Sequence, residues 1–325
     1  MKANFLYGSL LALAAVAVTA CNPNPYAATN RSYQKQVKAY TKALRVTPVT
    51  NSGEDSLPQG DYWVGATNFN LRKPNYVVIH HTAQNSTEQT LKTFTTPRTQ
   101  VSAHYVIGRD GKVYHMLNDY LRAWHGGNAR WGNTTDLNSA SIGIELDNNG
   151  AEPFQEAQIN SLVQVLAILK KTHGIPAANF IGHSDIAPSR KVDPNPTFPW
   201  KKLADAGFGL WFDEEAVEQL VLEESLRRNL ALTAPDSAAA PAAATLPATN
   251  PVLTLEVIAQ DTIPAANLIP ASFNPKDALR IIGYDVRNLE AAIKAFKLHF
   301  IQTDLSAVLT DRDKKVLYQL YKQIQ

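Results

Sequence analysis

Two histidines and one aspartate occupy positions from which they could bind a metal ion together. His183 follows the strand-like lead-in NFIG, and His80 ends the apolar run YVVIH of residues 76–80. Asp193 lies in the polar, proline-containing loop after His183. Neutral imidazole and carboxylate are both good zinc ligands. Because each side chain falls at the end of a predicted strand or in the loop behind it, the pattern predicts strand ends that meet at one point.

A further carboxylate and a lysine complete the groups that a hydrolytic zinc site needs. Glu145 lies in SIGIELDNN at another strand-to-loop transition, and Lys191 precedes Asp193 by two positions. Zinc with three protein ligands keeps a position for water, a carboxylate can accept the water's proton, and a cation can stabilise an oxyanion. A single histidine in such a place is more often a structural residue, so the prediction depends on the whole set. The spacing is non-local and differs from the helical HExxH pattern.

The motifs that carry these residues resemble a known family. They are, in chain order, IHHTA, SAHYVI, AWHGG, SIGIELDN and HSDIAPSRKVDPNPTFPW. Over residues 62–211 the chain is similar to the zinc-dependent N-acetylmuramoyl-L-alanine amidases of the AmpD and AmiD type. The resemblance implies that His80, His183 and Asp193 bind Zn²⁺. Related phage amidases and catalytic recognition proteins have a cysteine in place of the aspartate, whereas the one cysteine of this chain is Cys21.

The same resemblance assigns the catalytic roles. It implies that Glu145 is the general base and that Lys191 stabilises the transition state. The bond cleaved would be the amide between the lactyl group of N-acetylmuramic acid and L-alanine. Trp124 and His125 of AWHGG either form a cleft wall against sugar or peptide or simply pack. Arg190 either contacts a peptide carboxylate or is a solvated loop charge.

Three functions are weighed on these residues. The first is a zinc amidase that cleaves peptidoglycan or muropeptides in cell-wall turnover or recycling. The second is a recognition protein that binds wall peptide without cutting it, and the third is a zinc peptidase acting within the stem peptide. Glu145, Lys191 and the complete ligand set count against the pure binder, which has no need of a metal-activated water. A net charge of only +2 argues against nucleic acid as the main partner.

Strand and helix signals alternate through residues 61–232, which we take as the catalytic domain. The alternation predicts an α/β fold with a mixed central β-sheet flanked by helices, as the amidase resemblance also implies. The run YVVI predicts a central strand covered on both faces, and GRDG at residues 108–111 predicts a hairpin. Apolar residues at helical spacing between Ile159 and Leu169 predict a helix that packs on the sheet and ends near Gly174.

The N-terminus has the pattern of a lipoprotein. Residues 1–20 are predicted to be a signal peptide, and VTAC resembles a bacterial lipobox that ends at Cys21. Asn22 after the cysteine is similar to lipoproteins sent to the outer membrane. We therefore expect a monomeric outer-membrane lipoprotein that faces the periplasm, held by acylated Cys21 and a tether over residues 21–60. The segment RSYQKQVKAYTKALR (residues 31–45) is either a short basic helix or part of that solvated tether, and plain secretion is the alternative to lipidation.

The C-terminal part divides into a linker and a small helical domain. Residues 233–273 are rich in alanine and proline, which is typical of a linker. Residues 274–325 regain helical periodicity, beginning with the cap signal at Asn274 and Pro275. They resemble the three-helix peptidoglycan-binding module appended to AmiD-type amidases. A packing domain without a ligand of its own is the alternative, and His299 within it carries no signal that assigns a role.

Overall fold

The computed structural model describes residues 24–45, 66–68, 70–233 and 269–325. They belong to two compact units, one ending at Gly65 and one running from Ala66 to Gln325. The predicted signal peptide, Cys21 and most of the predicted linker lie outside the described residues. Among the helices that are described, none combines the length and the hydropathy that a bilayer crossing requires.

The described part of the first unit is one helix, α1, over Ala27–Ala43. None of its residues is buried. The sequence left two alternatives for residues 31–45, and the structure shows a solvent-exposed helix over Ala27–Ala43. Lys42 in its last turn has the charge that the helix dipole favours at a C-terminus.

The second unit is built on one five-stranded sheet in the order β3-β2-β4-β1-β5. Its strands are β1 (Tyr76–His81), β2 (Tyr105–Ile107), β3 (Val113–His115), β4 (Ser141–Leu146) and β5 (Phe180–Gly182). The central strand β1 pairs in parallel with β4 and β5, β4 pairs in parallel with β2, and only β3 is antiparallel to its neighbour. The predicted mixed sheet is confirmed, and the predicted hairpin is the β2–β3 connection.

Helices surround this sheet. They are α2 (Thr87–Thr95), α3 (Leu137–Ala140), α4 (Glu156–His173), α5 (His183–Ile186), α6 (Trp200–Asp205), α7 (Glu214–Thr233), α8 (Pro275–Ile282), α9 (Leu289–Phe300) and α10 (Asp311–Ile324). Helix α4 ends at Gly174, whose φ of 66° is the left-handed conformation that closes many helices.

One face of the sheet is covered by α4. The side chains of Ile159, Leu162, Leu166 and Leu169 are buried in a single cluster with alternate residues of the central strands, including Val77. The prediction that this apolar stripe packs on the sheet is therefore confirmed. The packing holds α4 in place, and α4 leads the chain into β5.

The opposite face is covered by the C-terminal helices. Val78 of β1 and Ile181 of β5 share a cluster with Leu279 of α8, Phe296 of α9 and Leu317 of α10. Because neighbouring strand residues point to opposite faces, β1 needs apolar side chains on both, which explains the continuous run YVVI. The helical segment predicted as a separate domain lies within the same compact unit as the sheet.

His104 is a buried histidine outside the metal-ligand set. Its Nδ1 accepts a hydrogen bond from the Gly143 N–H at 3.0 Å, so the proton of the neutral ring is on Nε2. Nε2 lies 3.0 Å from the Leu121 carbonyl oxygen and 2.9 Å from Nη2 of Arg72. Burial lowers the pKa of His104 to about 4. Because the unfolded chain takes up this proton near pH 6.5 and the folded chain does not, His104 makes folding less favourable as pH falls from 6.5 to 4.

We expect His104→Asn to weaken that acid sensitivity, because an Asn side-chain oxygen can still accept from Gly143 and does not titrate. Between pH 6.5 and 4, the unfolding free energy of wild type should fall more steeply with pH than that of the variant. The difference between the two slopes should be up to about 1.4 kcal/mol per pH unit. Urea unfolding at several pH values measures the difference. Parallel pH profiles for the two proteins would contradict the assignment.

Candidate active site

Neighbouring parallel strands bring the predicted site residues to one edge of the sheet. His80 on β1 lies directly beside Glu145 on β4 in the strand register. Strand β5, on the other side of β1, ends at Gly182, so His183 begins α5 at the same edge. Asp193 returns to this point from the following loop, where its carbonyl oxygen accepts the Ser184 N–H at 2.8 Å.

The three predicted metal ligands form a compact, buried group. The Nδ1 atoms of His80 and His183 lie 2.8 Å apart. Oδ2 of Asp193 lies 3.0 Å from Nδ1 of His183 and 3.3 Å from Nδ1 of His80. Among the described residues, these are the ones whose ligand atoms cluster closely enough to hold a metal ion together. The structure thus brings together all three residues that the sequence predicts.

A chain of hydrogen bonds behind His80 fixes its tautomer. The Ser141 hydroxyl donates to the Leu137 carbonyl oxygen at 2.5 Å, so it can only accept from Nε2 of His125, 3.2 Å away. Nδ1 of His125 is then an acceptor, and it receives the Nε2–H of His80 at 3.0 Å. The proton of His80 therefore points away from the site, and its Nδ1 presents a lone pair.

A backbone carbonyl orients the His183 ring so that its Nδ1 also faces the ligand group. Its Nε2 lies 3.2 Å from the Gly126 oxygen, which can only accept, and 3.5 Å from Nη2 of Arg190. The closer contact places the proton of the neutral ring on Nε2, which leaves a lone pair on Nδ1. Two imidazole lone pairs and the Asp193 carboxylate oxygen consequently face one point without a proton between them. Such a set is repulsive by itself and matches the nitrogen and oxygen ligands that Zn²⁺ takes. The residues present fit a zinc ion.

The electrostatics keep the imidazoles of His80 and His125 neutral. Burial, reinforced by the neighbouring His183, lowers the pKa of His80 to about 4. Burial likewise holds the pKa of His125 well below its usual value. Neutral imidazole is the form that binds a metal, so burial favours metal binding at pH 7.

Glu145 lies beside the ligand group without joining it. Its Oε1 is 3.9 Å from Nδ1 of His80. Burial and the negative charge of Asp193 raise the pKa of Glu145 to about 8, and the positive charge of Lys191 acts in the opposite direction. A carboxyl group with a pKa near 8 can both take up and release a proton close to neutral pH.

A cavity of about 400 Å³ opens onto these groups. Glu145, Lys191 and Trp124 line it together with the three ligands. The Trp124 side chain is 53% exposed, so it lies on the cavity wall and is not packed into the core. Of the two alternatives for Trp124, the structure favours the cleft wall.

His125 and Arg190 both line the cavity and both support the histidine ligands. His125 reaches the cavity, but it is buried and both ring nitrogens are taken by His80 and Ser141. Nη2 of Arg190 donates to the Gly126 oxygen at 2.7 Å and to the Asn128 oxygen at 3.1 Å. Arg190 therefore braces the loop that orients His183, although it also lines the cavity.

The supporting residues Ser141 and Gly126 were missed by sequence reasoning, but Gly143 offers a usable signal. A Cβ at Gly143 would lie 2.4 Å from Cγ of His125, so only glycine lets this imidazole approach the strand. A glycine inside a strand often marks such a close approach. The glycine in SIGIEL could thus have pointed to a side chain packed against β4.

Comparisons with known proteins agree with this geometry. Residues 70–196 match the family model described as N-acetylmuramoyl-L-alanine amidase. The chain is 38% identical over 157 residues to N-acetylmuramoyl-L-alanine amidase AmiD of Escherichia coli (strain K12), covering 43% of this chain and 56% of that protein. It is 41% identical over 103 residues to 1,6-anhydro-N-acetylmuramyl-L-alanine amidase AmpD of Enterobacter cloacae, covering 32% and 55%. The chain thus spans little more than half the length of these curated relatives.

Solved structures extend the likeness. The chain superposes with a TM-score of 0.57 and 26% identity on the amidase AmiD from E. coli in complex with the substrate anhydro-N-acetylmuramic acid-L-Ala-D-gamma-Glu-L-Lys. This match covers 80% of the present chain and 93% of that chain. The resemblance to AmpD- and AmiD-type amidases that the motifs predict is confirmed over residues 70–196.

Removing the acceptor behind His80 should weaken zinc binding. We expect His125→Leu to raise the zinc dissociation constant roughly 10- to 100-fold, because the His80 Nε2–H loses its partner and the tautomer is no longer fixed. His125→Asn keeps an acceptor oxygen and should retain more of the affinity. Competition with a chromophoric chelator measures both.

His115 on the edge strand β3 provides the control. It pairs with Asp119 away from the ligand group, so His115→Leu should leave zinc affinity unchanged. Equal zinc affinity in His125→Leu and wild type would show that the tautomer of His80 does not depend on His125.

Proposed function

We propose that this protein is a zinc-dependent N-acetylmuramoyl-L-alanine amidase. It hydrolyses the amide bond between the lactyl group of N-acetylmuramic acid and L-alanine in peptidoglycan or its muropeptide fragments, and so serves cell-wall turnover or recycling. The observation that carries the proposal is the convergence of three ligand atoms beside an acid–base carboxyl and a lysine in one cavity. The AmiD structure that it resembles holds a muropeptide described as its substrate.

His80, His183 and Asp193 would hold the zinc ion. When bound, zinc acidifies a water molecule and polarises the substrate carbonyl. Glu145 takes the proton from the attacking water and delivers it to the departing amine of L-alanine. The charge of a bound dication favours the ionised form of this carboxyl, so in the loaded protein Glu145 begins as the base.

Lys191 and Trp124 would act on the substrate. The Lys191 ammonium lines the cavity, where it can stabilise the negative charge that develops on the carbonyl oxygen. Trp124 offers an exposed aromatic face to a sugar ring or an apolar peptide group. Arg190 contributes mainly by bracing the Gly126 loop, with its remaining donors available to a peptide carboxylate.

The direct test incubates the chain from residue 22 onward with defined muropeptides, with and without a chelator, and identifies products by mass spectrometry. A free stem peptide with N-terminal L-alanine, formed only without chelator, is expected. Cleavage inside the stem peptide would favour the zinc peptidase instead. Tight binding without any product would favour the recognition protein.

Two substitutions separate metal binding from proton transfer. Glu145→Gln should keep zinc but reduce activity by a factor on the order of 10² to 10⁴, because the side chain can no longer accept a proton. Asp193→Ala should lose the metal. The matched control is Glu156→Gln, which alters an exposed carboxylate in the first turn of α4 and should leave activity unchanged. Full activity in Glu145→Gln would exclude the base role.

We also propose that acylated Cys21 holds the enzyme on the outer membrane with its catalytic unit in the periplasm. The support is the lipobox-like VTAC with Asn22 behind it. Several acyl chains anchor a protein firmly, since each buried CH₂ contributes about 0.8 kcal/mol. Expression of Cys21→Ser should move the protein from the membrane fraction to the soluble fraction and abolish labelling with palmitate. Membrane retention of the variant would refute the anchor.

A further inference from the structure

A buried carboxylate next to His183 joins the metal site to the C-terminal helices. Asp185 lies in the single-turn helix α5, and its side chain is fully buried. Oδ2 accepts the Gly182 N–H at 2.7 Å and faces Nδ1 of His299 at 2.7 Å. Oδ1 accepts the Tyr284 hydroxyl at 2.8 Å. Two of its three hydrogen-bond partners therefore come from the C-terminal helical segment.

Helix α5 depends on such contacts for its position. It has four residues, and one helical turn does not form stably by itself because nucleation is unfavourable. A buried carboxylate is tolerated only where donors satisfy its oxygens. The direction of the His183 side chain, at the first residue of α5, is thus tied to the donors that hold Asp185.

A second contact supports the loop that orients His183. The Gly132 N–H donates to the Gly283 oxygen at 2.7 Å, and the rings of Trp131 and Tyr284 meet edge to face with centroids 5.0 Å apart. A Cβ at Gly283 would lie 2.4 Å from the Trp131 ring, so this junction requires glycine. The loop from Trp124 to Thr134 also contains Gly126, whose carbonyl oxygen fixes the His183 tautomer.

A third contact reaches the segment that follows Asp193. The His299 ring stacks on Trp200 with centroids 3.8 Å apart, and the Gln302 side-chain amide donates to the Phe198 oxygen at 2.6 Å. Helix α9 and the second residue after its end thereby contact the segment that follows His183 and Asp193 in the chain.

We propose that helices α8 and α9, with their connecting turn, form part of the framework of the metal centre. Tyr284 and His299 are positioning residues that orient His183 through Asp185. This inference rests on the proposed zinc site and assigns the C-terminal segment a role that an appended wall-binding module would not have. Both side chains are buried, which makes them unavailable to a wall ligand.

The test compares conservative variants of the full mature chain. Tyr284→Phe removes one hydroxyl and keeps the ring contacts with Trp131 and Phe296. His299→Phe keeps an aromatic ring on Trp200, and Nε2 of His299 has no hydrogen-bond partner among the described residues that could be lost. Tyr318→Phe is the control, because this tyrosine packs on Phe273 in the same helical segment.

Zinc affinity and amide hydrogen exchange are the two readouts. We expect Tyr284→Phe and His299→Phe each to raise the zinc dissociation constant on the order of tenfold. In the metal-free protein, the amides of residues 182–187 should exchange faster than in wild type. Tyr318→Phe should change neither quantity.

A purely structural role predicts a different result. Variants that melt at a lower temperature but keep wild-type zinc affinity and wild-type exchange at residues 182–187 would overturn the inference. Failure of the wild-type protein to bind zinc would overturn the proposed metal centre instead, so the two outcomes are distinguishable.

Discussion

The structure depends on holding three electron-pair donors toward one point although they repel one another. Each donor comes from a different segment: β1, α5 and the loop behind α5. No local sequence preference brings the three donor atoms together. Hydrogen bonds to the ring nitrogens that face away from the site must therefore hold each imidazole in place. The hydrogen bonds that connect Leu137, Ser141 and His125 hold the His80 ring, and the Gly126 carbonyl holds the His183 ring. Glu145 completes the site because parallel pairing sets it beside His80.

The sheet explains why these supports are available in one place. A parallel sheet exposes the ends of neighbouring strands along one edge and requires cover on both faces. Helix α4 covers one face, and the C-terminal helices cover the other. The C-terminal helices pack behind α5 and the Gly126 loop, so the core that stabilises the fold also supports the candidate metal ligands. Asp185 therefore links the packing of the C-terminal helices to the position of His183.

Local sequence patterns were sufficient for much of the fold and for the reactive residues. The apolar stripe of α4 at helical spacing and the glycine that ends this helix follow from short-range physics, and the structure has both. The ligands could be predicted because His80 ends an apolar run, His183 follows one, and Asp193 lies in the polar loop behind His183. By contrast, the sequence left the role of His125 open between a cleft wall and packing and gave His299 no role, because their partners lie 45 and 114 positions away along the chain.

The sequence by itself determined the principal strands and the main helices, because these follow from neighbours within a few positions, and its motifs together singled out the candidate zinc ligands and the acid–base carboxylate. Only the tertiary structure decided that His125 supports His80, which ring nitrogens face the ligand group, and that the last helices belong to the same core. Those properties depend on atoms brought together from distant segments, and a hydrogen-bond partner far along the chain leaves no mark on local residue patterns.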